Sequence, residues 1–570
     1  MIAMRDGTRL YTAIYSPADT LPHPVLLLRT PYPLHPYGKG FAQSLRGAEA
    51  VFVRERYIIV YQNVRGTYRS EGDFVNLRPF EPDKTDGKTD EASDTFDTVE
   101  WLLSHCRTTG AVGVKGISYP GFYATLAALC GHPAVKAVSP QAPVTDWFKG
   151  DDCHLNGAFQ YGMYGFASSF FRERKRPGIR GNRPLVPVEG DVYDWFLSQD
   201  GLGGALDRFA GRLPFLNEMR AHPAYDAFWQ KADPTQHLRN VAPAVLVVGG
   251  WYDGEDCFGT FETYRRLKSL SPQTAVFLAA GPWCHGGWKK PSFDHLSDAW
   301  FGKGSAQFFM ERIEYPFFAH FLEGKGACPE AVRILPSAET MRAAMEGHDS
   351  APDWESLGSW PAEDVVFKDL HLHGSGRLSF AAPSDEIPLR YVSDPWKPVP
   401  FCAETSEWSR DAHAADQRFA ARRTDVLTWK SGVLREPVRV EGPLQVRLDV
   451  SLDGTDADVI VKLIDVRPDG YRLPVRTGVL PVRFRNGLSH PEPAVPGERM
   501  RLSFRMDDVA HHFLPGHRLA VHVQSSCFPL VAMNPQQYLA DPYSAVAADY
   551  RKAEITVYGG AVTLPVRTSL

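Results

Sequence analysis

Ser118 is the residue of this chain best placed to act as a nucleophile. It lies in Gly116-Ile117-Ser118-Tyr119-Pro120-Gly121, between the short apolar run Ala111-Val112-Gly113-Val114 and a helix-forming series that begins at Tyr123. A serine between a strand and a helix, flanked by small residues, can occupy a sharp turn that lifts its hydroxyl clear of a sheet. The following amide then sits at a helix N-terminus and faces a developing oxyanion. The spacing departs from G-x-S-x-G, because Pro120 takes the second small position and the glycine comes one residue later. A serine hydroxyl also needs a base and an acid. Asp253 follows the apolar run Ala244-Val245-Leu246-Val247-Val248, and His285 follows Thr274-Ala275-Val276-Phe277-Leu278 in Gly281-Pro282-Trp283-Cys284-His285. The imidazole would take the Ser118 proton and return it to a leaving group, while Asp253 fixes its tautomer. His295 is the near rival for the base.

Such residues need a frame that gathers strand ends. The continuous apolar runs Val25-Leu26-Leu27-Leu28 and Tyr57-Ile58-Ile59-Val60-Tyr61 read as strands buried on both faces of a largely parallel sheet. Phe96, Val99, Leu102 and Leu103 have helical spacing, with Asp94 as the expected N-cap, and Val135-Lys136-Ala137-Val138 reads as the strand after the Ser118 helix. A hairpin is predicted at the N-terminus, turning at Asp6-Gly7. The alternation gives a doubly wound α/β fold, whose ligands lie beyond the carboxyl ends of the strands. Nucleophile, acid, histidine is also the chain order of an α/β-hydrolase triad.

After Pro143 the alternation stops. Residues 146–240 are rich in aromatics, notably Phe159, Tyr161, Tyr164, Phe166, Phe170 and Phe171, and read as an inserted helical cap. From about Val365 short alternating strands such as 444–450 and 519–523 predict a β-sandwich of the jelly-roll type. The expected domains are therefore 1–144 and 241–350 for the two parts of the α/β-hydrolase domain, 145–240 for the cap and 351–570 for the jelly-roll β domain. Asp453, Asp456 and Asp458 do not match a calcium loop and are expected to be exposed turn acids.

Composition narrows the function. At 570 residues and 44% hydrophobic content two or three domains are expected. A net charge of −5, with one short basic run at 172–176, argues against a nucleic-acid partner. No run reaches the ~18 apolar residues of a membrane span, and no apolar h-region follows Met1. The eight scattered cysteines read as reduced thiols, so the expected compartment is cytoplasmic, or periplasmic or secreted if a signal peptide was removed. No metal, nucleotide or dinucleotide motif is present, and no cofactor is expected. Two weaker alternatives are a metal site using Cys257, Cys284 and His285, and a binding protein whose jelly roll carries the function.

An oxyanion hole needs a donor besides the Tyr119 amide. The loop Arg29-Thr30-Pro31-Tyr32-Pro33 has two prolines where a glycine-rich loop would supply amides, so the Tyr32 phenol is the candidate. These segments carry a resemblance. Gly116 to Gly121, Thr30-Pro31-Tyr32, Asn63-Val64-Arg65-Gly66 with Ser70-Glu71-Gly72, Trp251-Tyr252-Asp253, and Asp456-Ala457-Asp458 through Asp465 to Gly470 resemble the cocaine esterase and X-Pro dipeptidyl-peptidase family of serine hydrolases. Within it, the chain is most similar to the α-amino-acid ester hydrolases, the β-lactam antibiotic acylases. That resemblance implies a carboxylate cluster for the substrate's α-ammonium group, falling on Asp152, Glu255 and Asp256, with Asp151 as the alternative to Asp152. Crowded carboxylates repel one another unless a cation joins them, which supports the same idea physically. The expected substrate is an α-amino acid ester or amide, with a β-lactam nucleus as acyl acceptor; the homo-oligomeric state stays open. The alternatives are a general carboxylesterase and an X-Pro-type dipeptidyl peptidase.

Overall fold

The computed structural model describes the chain apart from residues 39, 41, 163–173, 175, 181–189, 209–212, 338–353, 385, 406–409 and 569–570. Its large sheet takes Thr12–Tyr15 (β1), His23–Thr30 (β2), Ile58–Asn63 (β3), Thr108–Ser118 (β4), Val135–Pro143 (β5), Ala244–Gly250 (β6), Val276–Gly281 (β7), Val332–Ile334 (β8) and Glu355–Leu357 (β9). The spatial order is β9-β8-β7-β6-β5-β4-β2-β3-β1. Strands β2 to β8 pair in parallel, and β1 and β9 run antiparallel at the two edges. Every residue of β2, β3, β6 and β7 is buried, which is why those stretches read as unbroken apolar runs. Strand β4 lies between β2 and β5, so the strand order reverses at its carboxyl end, the place where such sheets bind ligands.

Helix Glu91–His105 (α1) precedes β4 and Tyr119–Ala128 (α2) follows it. The N-cap of α1 is Asp90, not Asp94. The Asp90 carboxylate accepts from the Ser93 amide at 2.8 Å while Ser93 Oγ accepts from the Asp90 amide at 2.9 Å, a capping box. Asp94, one turn further, is buried and takes both ends of the Arg65 guanidinium at 2.6 Å, a pairing that an exposed cap would not need. The N-terminal hairpin pairs Ile2 with Leu10 across its turn at Gly7.

Between β5 and β6 lie a small hairpin, His154–Leu155 with Ala158–Phe159, and the short helices Val192–Leu197, Gly201–Asp207 and Pro214–Arg220. Phe159 and Tyr161 are buried, and Tyr161 stacks on Phe196 with ring centroids 4.3 Å apart. Tyr164, Phe166, Phe170 and Phe171 lie outside the described residues, as do Arg172, Glu173 and Lys175 of the basic run.

Apart from a short hairpin of His295–Leu296 with Ala299–Trp300, the remaining strands form two antiparallel sheets. One contains Val365–Leu372, Leu378–Ser379, Leu389–Ser393, Val438–Leu452, Met500–Phe513 and Ala553–Arg567, and the other Leu427–Lys430, Asp458–Val466, Arg472–Pro481 and Arg518–Gln524. Their facing residues, Leu444, Val446 and Leu448 against Val459, Val461 and Leu463, share one core. The boundary expected at 350/351 falls outside the described residues. The first strand after it, β9, covers the edge of the large sheet rather than joining the sandwich. Asp456 and Asp458 are buried rather than exposed: Arg483 Nε donates to Asp456 at 2.6 Å, and Asn534 bridges both acids. Among the described residues no helix is long and apolar enough to cross a membrane.

Candidate active site

Ser118 is the last residue of β4 and the N-cap of α2, with φ 67° and ψ −129°. A side chain in that region of backbone space is strained, and the close approach around it explains what holds it there. A Cβ on Gly116 would stand 2.1 Å from the Pro120 carbonyl oxygen, and one on Gly121 would stand 2.7 Å from the Gln141 carbonyl oxygen. Those two positions must be glycine. Pro120 is tolerated because it sits in the first turn of α2, where its missing N–H has no intrahelical partner to lose.

His285 is brought to the end of β6 by a close backbone approach, since a Cβ on Gly250 would stand 2.1 Å from the Trp283 carbonyl oxygen. Its Nδ1 lies 2.9 Å and 3.1 Å from the two Asp253 oxygens. A carboxylate only accepts, so Nδ1 carries the proton and Nε2 is left as the basic nitrogen. Asp253 Oδ1 also accepts the amides of Glu255 and Asp256 at 2.9 Å and 3.0 Å. Burial alone would raise the Asp253 pKa; the His285 charge and these hydrogen bonds outweigh it and hold the carboxyl below its usual value. His295, the rival base, is half-exposed, pairs with Asp294 and stacks on Trp300.

The Tyr32 loop is fixed from both sides. Tyr32 N–H donates to Thr30 Oγ1 at 3.0 Å, and Asn63 Nδ2 donates to the Tyr32 carbonyl at 2.7 Å. With its amide committed, Tyr32 has its phenol left to offer. Burial first, then the charge of Asp152, push that phenol well above its usual pKa, against the lowering effect of a hydrogen bond with the neighbouring Ser118. It therefore keeps its proton and can donate a hydrogen bond. The Tyr119 side chain points elsewhere, its hydroxyl accepting from the Leu77 amide and donating to Asn76, so only its backbone faces the elbow.

The three acids converge on His285. Glu255 Oε2 is 3.6 Å from Nε2, and Asp256 Oδ2 is 3.8 Å from Nδ1. Asp152 is tied to Glu255 through its amide, which donates to the Glu255 carbonyl at 2.8 Å. Burial, then the Glu255 charge, raise the Asp152 pKa to about 7. Asp256 is fully buried, its pKa raised well above the usual range by burial and then by Asp152, and neither of its oxygens accepts a hydrogen bond among the described residues. Asp151 belongs to the scaffold. Its carboxylate accepts the amides of Thr145, Asp146 and Gly259 and the Thr145 hydroxyl, at 2.7–2.9 Å.

Sequence reasoning missed Trp147, whose indole Nε1 donates to Asp152 at 3.1 Å and aims it at the cluster. A lone tryptophan in an aromatic stretch carries no signal of such a role. It also missed Arg476, which reaches from the sandwich to donate to the Trp251 carbonyl at 2.7 Å, two residues before Asp253. Cys257 and Cys284 do not form a metal site with His285. Among the described residues the group with suitably spaced ligand atoms is Glu355, Glu441 and His512, whose acids are already paired with Arg439 and Arg567.

Known proteins resemble this chain over most of its length. Residues 6–287 match the family model of the X-Pro dipeptidyl-peptidases (S15 family), and residues 337–561 match the X-Pro dipeptidyl-peptidase C-terminal non-catalytic domain. The cocaine esterase of Rhodococcus sp. (strain MB1 Bresler) is 30% identical over 554 residues, covering 93% of this chain and 90% of that protein. The solved structure of an α-amino acid ester hydrolase superposes with a TM-score of 0.91 at 32% identity, over 100% of this chain and 96% of that one. An aminopeptidase from the marine sediment archaeon Thaumarchaeota archaeon gives a TM-score of 0.90, also at 32% identity, over 100% of this chain and 95% of that one. With its elbow serine, buried Asp–His pair and C-terminal sandwich, the chain belongs to the cocaine esterase and X-Pro dipeptidyl-peptidase family of α/β-hydrolase-type serine hydrolases.

Proposed function

We propose that this serine hydrolase acts on esters and amides of α-amino acids through an acyl-enzyme on Ser118. Ser118 Oγ attacks the substrate carbonyl while His285 Nε2 takes its proton, and Asp253 stabilises the resulting imidazolium. The Tyr32 hydroxyl and the Tyr119 amide receive the oxyanion. His285 then protonates the leaving alcohol or amine, and water or an amine attacks the acyl-enzyme in its place. Attack by the amine of a β-lactam nucleus would yield an antibiotic with an α-amino acyl side chain, and the reverse reaction would hydrolyse one.

The observation that carries this reading is the buried Asp256 carboxylate, whose oxygens accept no hydrogen bond among the described residues, beside Asp152 and Glu255. Three acids around one imidazole repel one another, and a substrate α-ammonium relieves that repulsion. The methyl ester of phenylglycine should therefore be turned over roughly thirty- to a thousand-fold faster in kcat/KM than that of phenylacetate, which lacks only the amino group. Ser118→Ala should abolish both reactions. Equal rates on the two esters would return the enzyme to the general carboxylesterases.

A further inference from the structure

A cavity of about 290 Å³ opens beside the elbow. Its walls include Tyr32 and Leu34 from the loop after β2, Tyr61 from β3, Ile117 and Pro120 on either side of Ser118, and Lys289, four residues beyond His285. The sheet order fixes its place relative to the acids. Asp152 follows β5, and Glu255 and Asp256 follow β6, whereas the cavity sits over β2 and β3; β4, which carries Ser118, runs between the two groups. A substrate carbonyl held at Ser118 has its acyl part and its leaving group on opposite sides. Acids on one flank thus leave the other for the leaving group.

The cavity wall is mostly apolar, with the polar side chains of Thr30, His35, Ser44 and Tyr61 and two cations, Arg29 and Lys289, upon it. Arg29 is consumed by Gln62, Glu91 and Thr95. The Lys289 ammonium makes no hydrogen bond among the described residues, and the carboxylate it pairs with, Glu49, is 3.9 Å away. That acid is shared with Lys115 at 3.7 Å and with the Tyr61 hydroxyl at 3.1 Å, and Lys115 is itself committed to Glu314 at 3.0 Å. Burial holds the Lys289 pKa below the usual lysine range, so an entering anion would repay part of its lost hydration.

We propose that this cavity is a leaving-group subsite in which Lys289 pairs with a carboxylate on the departing or accepting amine. The proposal rests on the Ser118 acyl-enzyme reading above and names its second substrate as an amine that carries a carboxylate. Amino acids and β-lactam nuclei share that chemistry. In the synthetic direction the amine nitrogen bonds to the acyl carbon, the bond from that carbon to Ser118 Oγ breaks, and the amine proton passes through His285 Nε2 to Oγ. Hydrolysis of the amide is the same step reversed, followed by water.

The test holds the acyl part constant and varies the leaving group. Phenylglycyl-glycine should be hydrolysed roughly ten- to a hundred-fold faster in kcat/KM than phenylglycyl-glycinamide. In a second arm, the acyl-enzyme formed from phenylglycine methyl ester should partition in the same sense to 6-aminopenicillanic acid over its methyl ester. Lys289→Met should erase the preference and Lys289→Arg retain most of it. Preference in one arm alone supports the subsite and identifies its occupant as an amino acid or as a β-lactam nucleus. Equal rates in the unmodified protein, survival of the preference in Lys289→Met, or no amide turned over in either arm would overturn it. The ammonium reading fails separately, on the phenylglycine and phenylacetate methyl esters, neither of which bears a carboxylate on its leaving group.

Discussion

Burial makes Asp152 a pH-dependent element of the fold's stability. The folded chain holds this carboxyl at about 7, whereas an unfolded chain releases the proton near ~4. Its contribution to stability is therefore lost as pH rises from about 4 to about 7, and is level above that. Asp152→Asn escapes the loss. Its gain in stability over the unchanged protein should grow across that window and then flatten, at ~1–4 kcal/mol, with Tm following the same course in melts taken from pH 4 to 9. A Tm difference independent of pH would refute the assignment. The same ionisation sets a kinetic signature: the preference for the phenylglycine ester over the phenylacetate ester should rise through pH ~7 as Asp152 ionises, and fall near ~8 as the substrate amine loses its proton. Tyr32 tests a different part of the chemistry. Removing its hydroxyl in Tyr32→Phe should lower kcat by roughly 10² to 10³ with KM little changed, and an unchanged kcat would leave it a packing residue.

The strand–turn–helix element around Ser118 depends on two backbone approaches. Gly116→Ala must push the Pro120 carbonyl away from a Cβ that would otherwise stand 2.1 Å from it, which moves the start of α2 and the Tyr119 amide together. We expect a loss of ~2–4 kcal/mol in urea unfolding and a fall in the fraction of protein labelled by a serine-reactive phosphonate. A fully labelled, fully stable Gly116→Ala protein would contradict the elbow geometry. The neighbouring Asn63 to Gly72 element is scaffold of another kind. Asn63 holds the Tyr32 loop, Ser70 Oγ donates to the Asn63 carbonyl at 2.7 Å, and Arg65 locks α1 through Asp94. These residues hold the surroundings of the elbow in place.

Across the whole molecule the sandwich braces the acid loop. Arg476 Nη2 donates to the carbonyls of Trp251 and Asp508, each at 2.7 Å, and Asp508 also pairs with Arg265 of helix Cys257–Leu270 at 2.9 Å. Arg476 is a positioning residue. Arg476→Met should lower kcat about tenfold while KM for the phenylglycine ester changes little, because the Asp253–His285 pair loosens before the carboxylate cluster does. Equal losses in kcat and in Tm-corrected active fraction would reduce Arg476 to a fold contact.

Periodicity and strand-end placement carried the sequence a long way. The unbroken apolar runs reported the buried parallel strands, the chain order pointed to Ser118, Asp253 and His285 at strand ends, of which the structure pairs Asp253 with His285, and the two prolines around Tyr32 pointed to its phenol. The helical spacing alone did not tell Asp90 from Asp94 as a cap, since both precede the series; the capping box with Ser93 takes Asp90, and Arg65, 29 residues away, takes Asp94. Nor did local pattern separate Asp151 from Asp152. Both sit on one loop, and it is the packing of the Gly259 amide, 108 residues on, that consumes the first and leaves the second to face Glu255. Which acids are charged, which stay protonated and which cations stay uncommitted depends on burial and on partners distant in sequence. Those are properties of the assembled core, and they are what tertiary structure alone decided here.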